Sequence, residues 1–353
     1  MHVYNAENTC AKELTLKQIY IGWVPFQRRA LSLKKRFEFD VIFLSLSYKY
    51  RLFRPLEYVV KSLQTLLVLF RDKPSTVWLQ LPPSFLLHIT FIYKFFFNRS
   101  LVVIVDCHNA SFRSPWITIP GTVTLLNRSD MVIVHNREVV QQALQRGVNQ
   151  NTVHVLEDPP ATINATASRN TSTSQTIVVP CSFNRDEPIA ELLLAACLLP
   201  EIKFIITGNF ERARGVHDLG NLPQNVELTG FIPASDFDQI LANANVIMGL
   251  TNQEGIQLSV AGEALAVGKP MVLSNTKILR ELFSDAAVFV NPVCAESIAN
   301  GCKNALINSD RLQEQVILLR ARRAVSWSKQ AERIAASIYR NNEIAPHATQ
   351  KGA

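Results

Sequence analysis

Short apolar runs alternate with segments of helical periodicity along the whole chain, and this alternation constrains the fold more than any other feature. The runs at residues 101–105, Met131–Val134 and Lys203–Thr207 are apolar and rich in β-branched residues, as expected of strands buried on both faces. Arg28–Phe37 and residues 56–70 show the apolar spacing of helices. Strands that alternate with helices predict βαβ units, and therefore an α/β fold with parallel sheets covered by helices.

A change in composition divides the chain into two parts. Residues 158–175, DPPATINATASRNTSTSQ, almost lack large apolar side chains, which is typical of a linker. Because 353 residues exceed one ordinary core, we predict an N-terminal domain over residues 1–157 and a C-terminal domain over residues 176–326. Residues 327–353 are predicted to hold a helix, at residues 328–339, that crosses back to the first domain. Two α/β domains joined by a linker predict a ligand-binding cleft between them.

Charge and its distribution limit the classes of partner. The formal net charge is +7, and residues 1–60 hold ten lysines and arginines against five acidic residues. A basic region of this kind fits nucleic acid, anionic lipid or a phosphorylated substrate. Since the sequence contains no zinc-finger, RNA-binding or recognition-helix pattern, we expect no nucleic-acid partner.

Cysteine usage and the apolar pattern favour the cytoplasm. The six cysteines include no C-x-x-C pair, which fits reduced thiols and gives no zinc or redox motif. The sequence begins without the apolar region of a signal peptide and has no uncharged apolar run of about 18 residues. We therefore expect a cytoplasmic protein that holds no metal and no cofactor. The basic helix over residues 28–36 is either a solvated face or a contact with a membrane surface.

Residues 251–274, TNQEGIQLSVAGEALAVGKPMVLS, form the stretch that most clearly indicates chemistry. A polar loop with Glu254 and Gln257 leads into a short helix that begins near Ser259 and ends at Gly-Lys-Pro. The free N–H groups of a helix N-terminus bind anions, and a carboxylate one turn later, here Glu263, can accept hydrogen bonds from a sugar diol. Phosphate on amides and ribose on a carboxylate together predict a nucleotide-diphosphate pocket. Each residue also has a purely structural interpretation. Gln257 and Ser259 could simply cap the helix, Glu263 could be a partly exposed helix glutamate, and Glu254 could be a solvated loop acid.

Three further candidates follow predicted strands. Asp106 and His108 are placed in a loop after the strand at residues 101–105, where they would project into the cleft. An imidazole can bind a sugar hydroxyl or transfer a proton near neutral pH, and Asp106 beside it is a candidate general base. A turn or core histidine and a turn-forming aspartate are the alternatives. Gly208, at the end of another strand, lets the backbone approach a nucleotide or simply forms a turn.

The C-terminal half resembles the nucleotide-sugar-binding domain of GT-B-fold glycosyltransferases, in particular the large group that assembles bacterial polysaccharides. The resemblance covers roughly residues 176–340. It implies two Rossmann-like domains facing across a cleft, a ribose on Glu263, donor-sugar hydroxyls near Glu254, and a sugar or reacting centre near His108. Its motifs are the acidic Glu254-Gly255, the EALAVGKP run at residues 263–270, Val272-Leu273-Ser274, NVELTGF at residues 225–231 and DAAVFV at residues 285–290.

Two departures from the family pattern affect the donor site. Eight residues separate Glu254 from Glu263, where the usual retaining-enzyme motif has seven. The lysine that commonly follows the first strand of this domain is missing, and residues 182–188, SFNRDEP, hold acids instead. Neutralisation of the diphosphate would then fall to Arg185, Arg212 or the helix N-terminus, with Gln257 and Ser259 beside the phosphates.

The resulting expectation is a glycosyltransferase that moves a sugar from a nucleotide-diphosphate sugar to a glycan or lipid-linked acceptor in polysaccharide biosynthesis. A nucleotide-sugar epimerase of the same fold is one alternative. A non-catalytic nucleotide-sugar-binding assembly subunit is another, which the missing lysine and the altered glutamate spacing keep open.

Overall fold

A computed structural model describes residues 17–46, 54–159, 163, 165 and 175–348. The chain divides into two compact units. The first unit comprises residues 1–157 and 330–353, and the second comprises residues 158–329. Most of the predicted linker lies outside the described residues.

The first unit is built on a six-stranded parallel sheet with the order β2-β1-β3-β4-β5-β6. Every residue of β3 and β4 is buried, because helices cover both faces of the sheet. The strands are β1 (Gln18–Gly22), β2 (Asp40–Phe43), β3 (Thr76–Leu81), β4 (Val102–Cys107), β5 (Met131–Val134) and β6 (Val153–Val155). The helices are α1 (Arg28–Phe37), α2 (Arg54–Asp72), α3 (Phe85–Phe96), α4 (Thr122–Arg128) and α5 (Arg137–Gln145).

The second unit repeats this plan with the strand order β12-β11-β10-β7-β8-β9, and all its pairings are parallel. The two sheets confirm the predicted α/β class. The strands are β7 (Thr176–Pro180), β8 (Lys203–Thr207), β9 (Val226–Gly230), β10 (Val246–Gly249), β11 (Met271–Ser274) and β12 (Ala287–Val290). The helices are α6 (Ile189–Cys197), α7 (Ala234–Asn243), α8 (Ser259–Val267), α9 (Lys277–Phe283) and α10 (Ala295–Ile307).

The last helix is much longer than the sequence pattern suggests. Instead of a helix at residues 328–339, one continuous helix, α11, runs from Ser309 to Ala348. It begins within the second unit and ends within the first. No glycine or proline occurs from Ser309 until Pro346, so nothing in the sequence breaks the helix. Across the described residues, no helix is both long and apolar enough to span a membrane.

Parallel pairing places the loops that follow the strands of each unit at one edge of its sheet. In the first sheet, β2 lies on one side of β1 and all later strands lie on the other side, so the strand order reverses between β1 and β3. In the second sheet, the order reverses in the same way between β7 and β10. Ligands of open α/β sheets bind at the carboxyl ends of the strands next to such a reversal. We call these two places the switch points.

Close packing of helices on the second sheet leaves no room for side chains at two glycines. A Cβ atom at Gly249 of β10 would collide with Val260 of α8, and one at Gly301 of α10 would collide with Val290 of β12. The first of these contacts fixes the position of α8 on the strand that leads to it.

We expect Gly301→Ala to destabilise the second unit by about 1–3 kcal/mol, because the added methyl group overpacks the contact with Val290. Gly262, within α8, is a matched control, since a Cβ atom there would meet nothing within 4 Å. Gly262→Ala should be neutral or stabilising by up to about 1 kcal/mol, from the helix propensity of alanine. Urea unfolding followed by circular dichroism measures both, and equal effects would contradict the packing argument.

Candidate functional site

The loop after β7, residues 181–187, is shaped by its own acidic side chains. The Glu187 carboxylate accepts hydrogen bonds from the backbone N–H of Ser182 at 3.0 Å and of Asn184 at 2.7 Å. The Asp186 carboxylate accepts one from the Thr251 hydroxyl at 2.7 Å, and its backbone oxygen accepts one from Asn252 N–H at 2.7 Å. The two acids, which stand where the resemblance implies a lysine, therefore organise the backbone, and Asp186 joins the loops on either side of the switch point.

Backbone conformation at this edge is unusual. Phe183 is buried and has a φ of 56°, a left-handed conformation that is rare for a bulky residue. Gly208, just after β8, has a φ of 125°, and a Cβ atom there would collide with the Cys181 carbonyl oxygen. The close approach of the two loops gives Gly208 a structural reason to be glycine, so a contact between Gly208 and a nucleotide stays a prediction. Non-glycine residues in such conformations cluster at ligand sites.

Cationic side chains gather on the same loop. Arg212 Nη2 donates to Asn184 Oδ1 at 3.1 Å, and His217 Nε2 lies 2.8 Å from the Asn184 carbonyl oxygen. Arg185 is exposed and, among the described residues, has no hydrogen-bond or ion-pair partner. His217 was missed in the sequence analysis, although its position soon after Arg212 and Arg214 is a signal that could have found it.

Glu254 lies in the loop between β10 and α8 and is exposed. Its Oε2 accepts a hydrogen bond from the backbone N–H of Lys277 at 3.0 Å. Lys277 is the first residue of α9, so the carboxylate sits at the positive end of that helix dipole. This contact holds Glu254 in place whatever its role, and a contact with donor-sugar hydroxyls stays a prediction.

Helix α8 has the features expected of an anion site. It begins at Ser259, and its N-cap residue Leu258 gives no side-chain hydrogen bond to the first turn. Glu263 is the fifth residue of the helix, about one turn further on, and is buried. Gln257, just before the helix, is half-buried, and Ser259, the first helical residue, is exposed. Gly268, with a φ of 73°, ends the helix, as the Gly-Lys-Pro sequence predicts.

In the first unit, His108 immediately follows β4 and is partly exposed. Its Nε2 lies 3.1 Å from Gln27 Nε2, and its ring centroid lies 4.7 Å from that of His135. The imidazole therefore lies at the carboxyl edge of the sheet, as the sequence suggests, in contact with Gln27 and His135.

Asp106 requires a correction, because it belongs to β4 and not to a loop. It pairs in register with Gln80 of β3 and is fully buried. Its carboxylate accepts hydrogen bonds from Tyr20 OH at 2.9 Å and from Arg29 Nε at 3.2 Å, and Arg29 also donates to the Leu156 carbonyl oxygen at 2.8 Å. These internal contacts and the absence of exposed surface weigh against Asp106 as a catalytic base.

The electrostatics of this cluster favour an ionised Asp106. Burial by itself would raise the pKa of the Asp106 carboxyl group. Burial is the largest single effect, but the charges of Arg29, His108 and His135 and the Tyr20 hydrogen bond together outweigh it, so the pKa of Asp106 lies below its ordinary value. Arg29 and Asp106 thus form a buried ion pair that anchors α1 to the centre of the sheet.

Gln80 is a polar residue within β3. It is buried next to the first switch point, and a Cβ atom at Gly22 would lie 2.7 Å from its Oε1. Within the described part of the chain, Oε1 has no hydrogen-bond partner. A buried carbonyl oxygen without a donor is costly, so this oxygen lowers the stability of the first unit.

No group of three or more histidine, cysteine, aspartate or glutamate side chains among the described residues could hold a metal ion. The anion-binding features are instead backbone amides and the cations around residues 181–187.

Comparison with known proteins agrees with these features. Residues 164–318 match the family described as glycosyl transferases group 1. A search of curated proteins gives no match.

Solved structures similar to this chain share its fold at low identity. Sucrose-phosphate synthase from Thermosynechococcus elongatus has a TM-score of 0.65 at 18% identity, over 86% of this chain and 84% of that one. The Anabaena protein HepE, in complex with UDP and glucose, has a TM-score of 0.64 at 14% identity, over 95% and 99%. The trehalose 6-phosphate synthase of Burkholderia multivorans has a TM-score of 0.62 at 14% identity, over 86% and 79%.

We expect Asp106→Asn to destabilise the protein by about 3–5 kcal/mol at pH 7, because it removes the carboxylate charge of the buried Arg29–Asp106 ion pair. Since the folded-state pKa of Asp106 is lowered, its stabilising contribution is complete above the unfolded value near 4 and is lost as pH falls through the folded value. Wild-type stability should therefore fall more steeply than that of the variant below about pH 4.

Urea unfolding over a pH series measures this difference. Tyr20→Phe is the control, because it removes one hydrogen bond to Asp106 and should cost only about 1 kcal/mol. An Asp106→Asn variant as stable as Tyr20→Phe would show that the ion pair is not the anchor.

Proposed function

We propose that this chain is a group 1 glycosyltransferase and that it transfers a sugar from a nucleotide-diphosphate sugar to a hydroxyl group of a glycan or lipid-linked acceptor. The observation that carries the proposal is helix α8, whose N-terminus lacks a side-chain cap and whose Glu263 is buried about one turn later. The structures of HepE with UDP and with UDP-glucose support a uridine nucleotide as the first donor to test.

The second unit is proposed to bind the donor. Glu263 would accept hydrogen bonds from the two ribose hydroxyls, because an ionised carboxylate has only acceptor sites. The first amides of α8, with Ser259 and Gln257, would bind the diphosphate. Arg185 and Arg212 supply positive charge in place of the missing lysine, and the Asn184 contact already holds Arg212 at the edge of the sheet.

This arrangement suits the chemistry of the transfer. The bond between the anomeric carbon and the diphosphate oxygen breaks, the acceptor oxygen forms a bond to that carbon, and the acceptor hydroxyl loses its proton. Negative charge develops on the leaving diphosphate, where fixed amides and arginines stabilise it most effectively. No metal ion is required for this step if the amides and cations neutralise the phosphates.

Glu254 is proposed to contact the donor sugar. Its Oε2 is held by Lys277 N–H, while the described residues offer no partner to Oε1. A carboxylate fixed by one oxygen can present the other to a sugar hydroxyl with little loss of side-chain entropy. The insertion of one residue relative to the usual glutamate spacing is then accommodated in the loop, where Gly255 has a φ of 75°.

The first unit is proposed to bind the acceptor. His108 and Gln27 present polar groups at the carboxyl edge of its sheet. Hydroxyl groups can serve these groups as donors or acceptors. The acceptor is therefore proposed to be a hydroxyl-rich molecule.

We expect Glu263→Ala to weaken the binding of UDP and of UDP-sugars by at least about tenfold, because two charge-assisted hydrogen bonds are lost. Isothermal titration calorimetry measures the affinity. Glu314→Ala, on the exposed side of α11, is the control for loss of one negative charge and should leave the affinity unchanged. Equal affinities of wild type and Glu263→Ala, with a fold confirmed by circular dichroism, would remove Glu263 from the site.

A donor screen should precede this titration. Thermal shift with UDP-, GDP- and ADP-sugars identifies the nucleotide, because a ligand that binds only the folded state raises the unfolding temperature.

Turnover should depend on an acceptor. With the selected donor alone, we expect only slow hydrolysis and no new nucleotide sugar, and addition of glycan or lipid-linked acceptors should release free nucleotide. Chromatography of the nucleotide products measures both. Conversion of the donor to an isomeric nucleotide sugar without acceptor would instead identify an epimerase.

A further inference from the structure

Helix α2 exposes a continuous apolar stripe. Its exposed apolar residues recur at intervals of three and four, so all of them lie on one face of the helix. The opposite face packs on the sheet through Val68 and Leu69. Leu67, at the centre of the exposed face, is 68% accessible, a large value for a residue of an amphipathic helix. The members of the stripe are Leu56, Val59, Leu63, Leu67 and Phe70.

Helix α3 continues this apolar surface. The two helices pack side by side, since Tyr93 OH donates to the Leu69 carbonyl oxygen at 3.1 Å and the Phe70 and Phe97 rings lie 4.7 Å apart. Phe95 and Phe96 are 63% and 69% exposed. The exposed apolar residues of α3 and its C-cap are Phe85, Ile92, Phe95, Phe96 and Phe97. Together with the stripe on α2, they form what we call the α2–α3 surface.

Basic side chains surround the aromatic end of the α2–α3 surface. Arg71, Lys73 and Arg99 are exposed there, and the Arg99 guanidinium lies 5.7 Å above the Phe95 ring. The acid in this region, Asp72, is engaged by Lys17 and Arg71, so the local charge is positive. Two identical surfaces of this charge would repel each other, which disfavours a second copy of the chain as the partner.

The combination of aromatic rings, aliphatic side chains and arginine or lysine matches the boundary of a lipid bilayer. Amphipathic helices lie in that plane with their apolar face among the acyl chains, and nearby basic residues are attracted by anionic headgroups. The basic helix α1, which the sequence suggested for this role, is less suitable because Arg29 is turned inward onto Asp106.

We propose that the α2–α3 surface docks the protein on an anionic lipid bilayer, with Leu67, Phe95 and Phe96 in the interface and Lys73 and Arg99 at the phosphate headgroups. This proposal goes beyond the transfer reaction and does not depend on nucleotide binding. It places the first unit at a surface where a lipid-linked acceptor would be found.

Flotation with phosphatidylcholine vesicles, with and without phosphatidylglycerol, tests the proposal on the full chain. Wild type should bind the vesicles that contain phosphatidylglycerol, and binding should weaken as salt is raised. The double variant Phe95→Ser/Phe96→Ser should bind at least about tenfold more weakly, because two apolar side chains no longer enter the interface. Lys73→Glu/Arg99→Glu should abolish the preference for the anionic lipid.

The matched control is Leu194→Ser/Ile307→Ser, which removes two apolar side chains of the second unit that are 59% and 81% exposed. It should bind vesicles like wild type. Absence of wild-type binding, or equal loss in the control, would overturn the proposal. So would a wild-type dimer, seen by analytical ultracentrifugation, that Phe95→Ser/Phe96→Ser converts to monomer, because the surface would then be a contact between copies. UDP affinity measured without vesicles should be equal in all variants, which separates this test from that of the donor site.

Discussion

Parallel pairing at the two switch points is the constraint on which the rest of the structure depends. In the second unit, β7 and β10 are neighbours although many residues separate them in the chain. The loops that leave these strands therefore meet, and the Thr251 hydroxyl donates to the Asp186 carboxylate across a sequence separation of 65 residues. Helix α8 starts from the second of these loops, so its N-terminus and Glu263 are placed by the same pairing.

Acidic residues serve mainly as framework in both units. Glu187 and Asp186 bind backbone amides and a hydroxyl in the loop after β7, and Asp106 binds Arg29 and Tyr20 within the first sheet. A carboxylate that is fully engaged in this way contributes rigidity, and its charge is largely compensated. This explains how a loop rich in acids can lie beside a proposed diphosphate site, where isolated negative charge would oppose binding.

The two units use their surfaces differently. The second unit holds Arg185 and Arg212 around one loop, at the proposed site of a compact anion. The first unit spreads Arg71, Lys73 and Arg99 around exposed aromatic rings, which suits an extended anionic surface. Positive charge is thus proposed to serve two purposes in this protein. The neighbouring side chains distinguish the two, since they are polar in the second unit and apolar in the first.

Local patterns in the sequence determined the α/β class, the positions of strands such as Met131–Val134 and Lys203–Thr207, the end of α8 at Gly268 and the position of Glu263 one turn into that helix. These features depend on periodicity and on backbone preferences, which act over a few residues. Only the tertiary structure decided that Asp106 is a buried ion-pair partner, that Gln80 has an unsatisfied carbonyl oxygen, and that the apolar face of α2 is exposed. Each of these depends on which distant element packs against the residue, and an apolar stripe at helical spacing has the same sequence whether a sheet covers it or not.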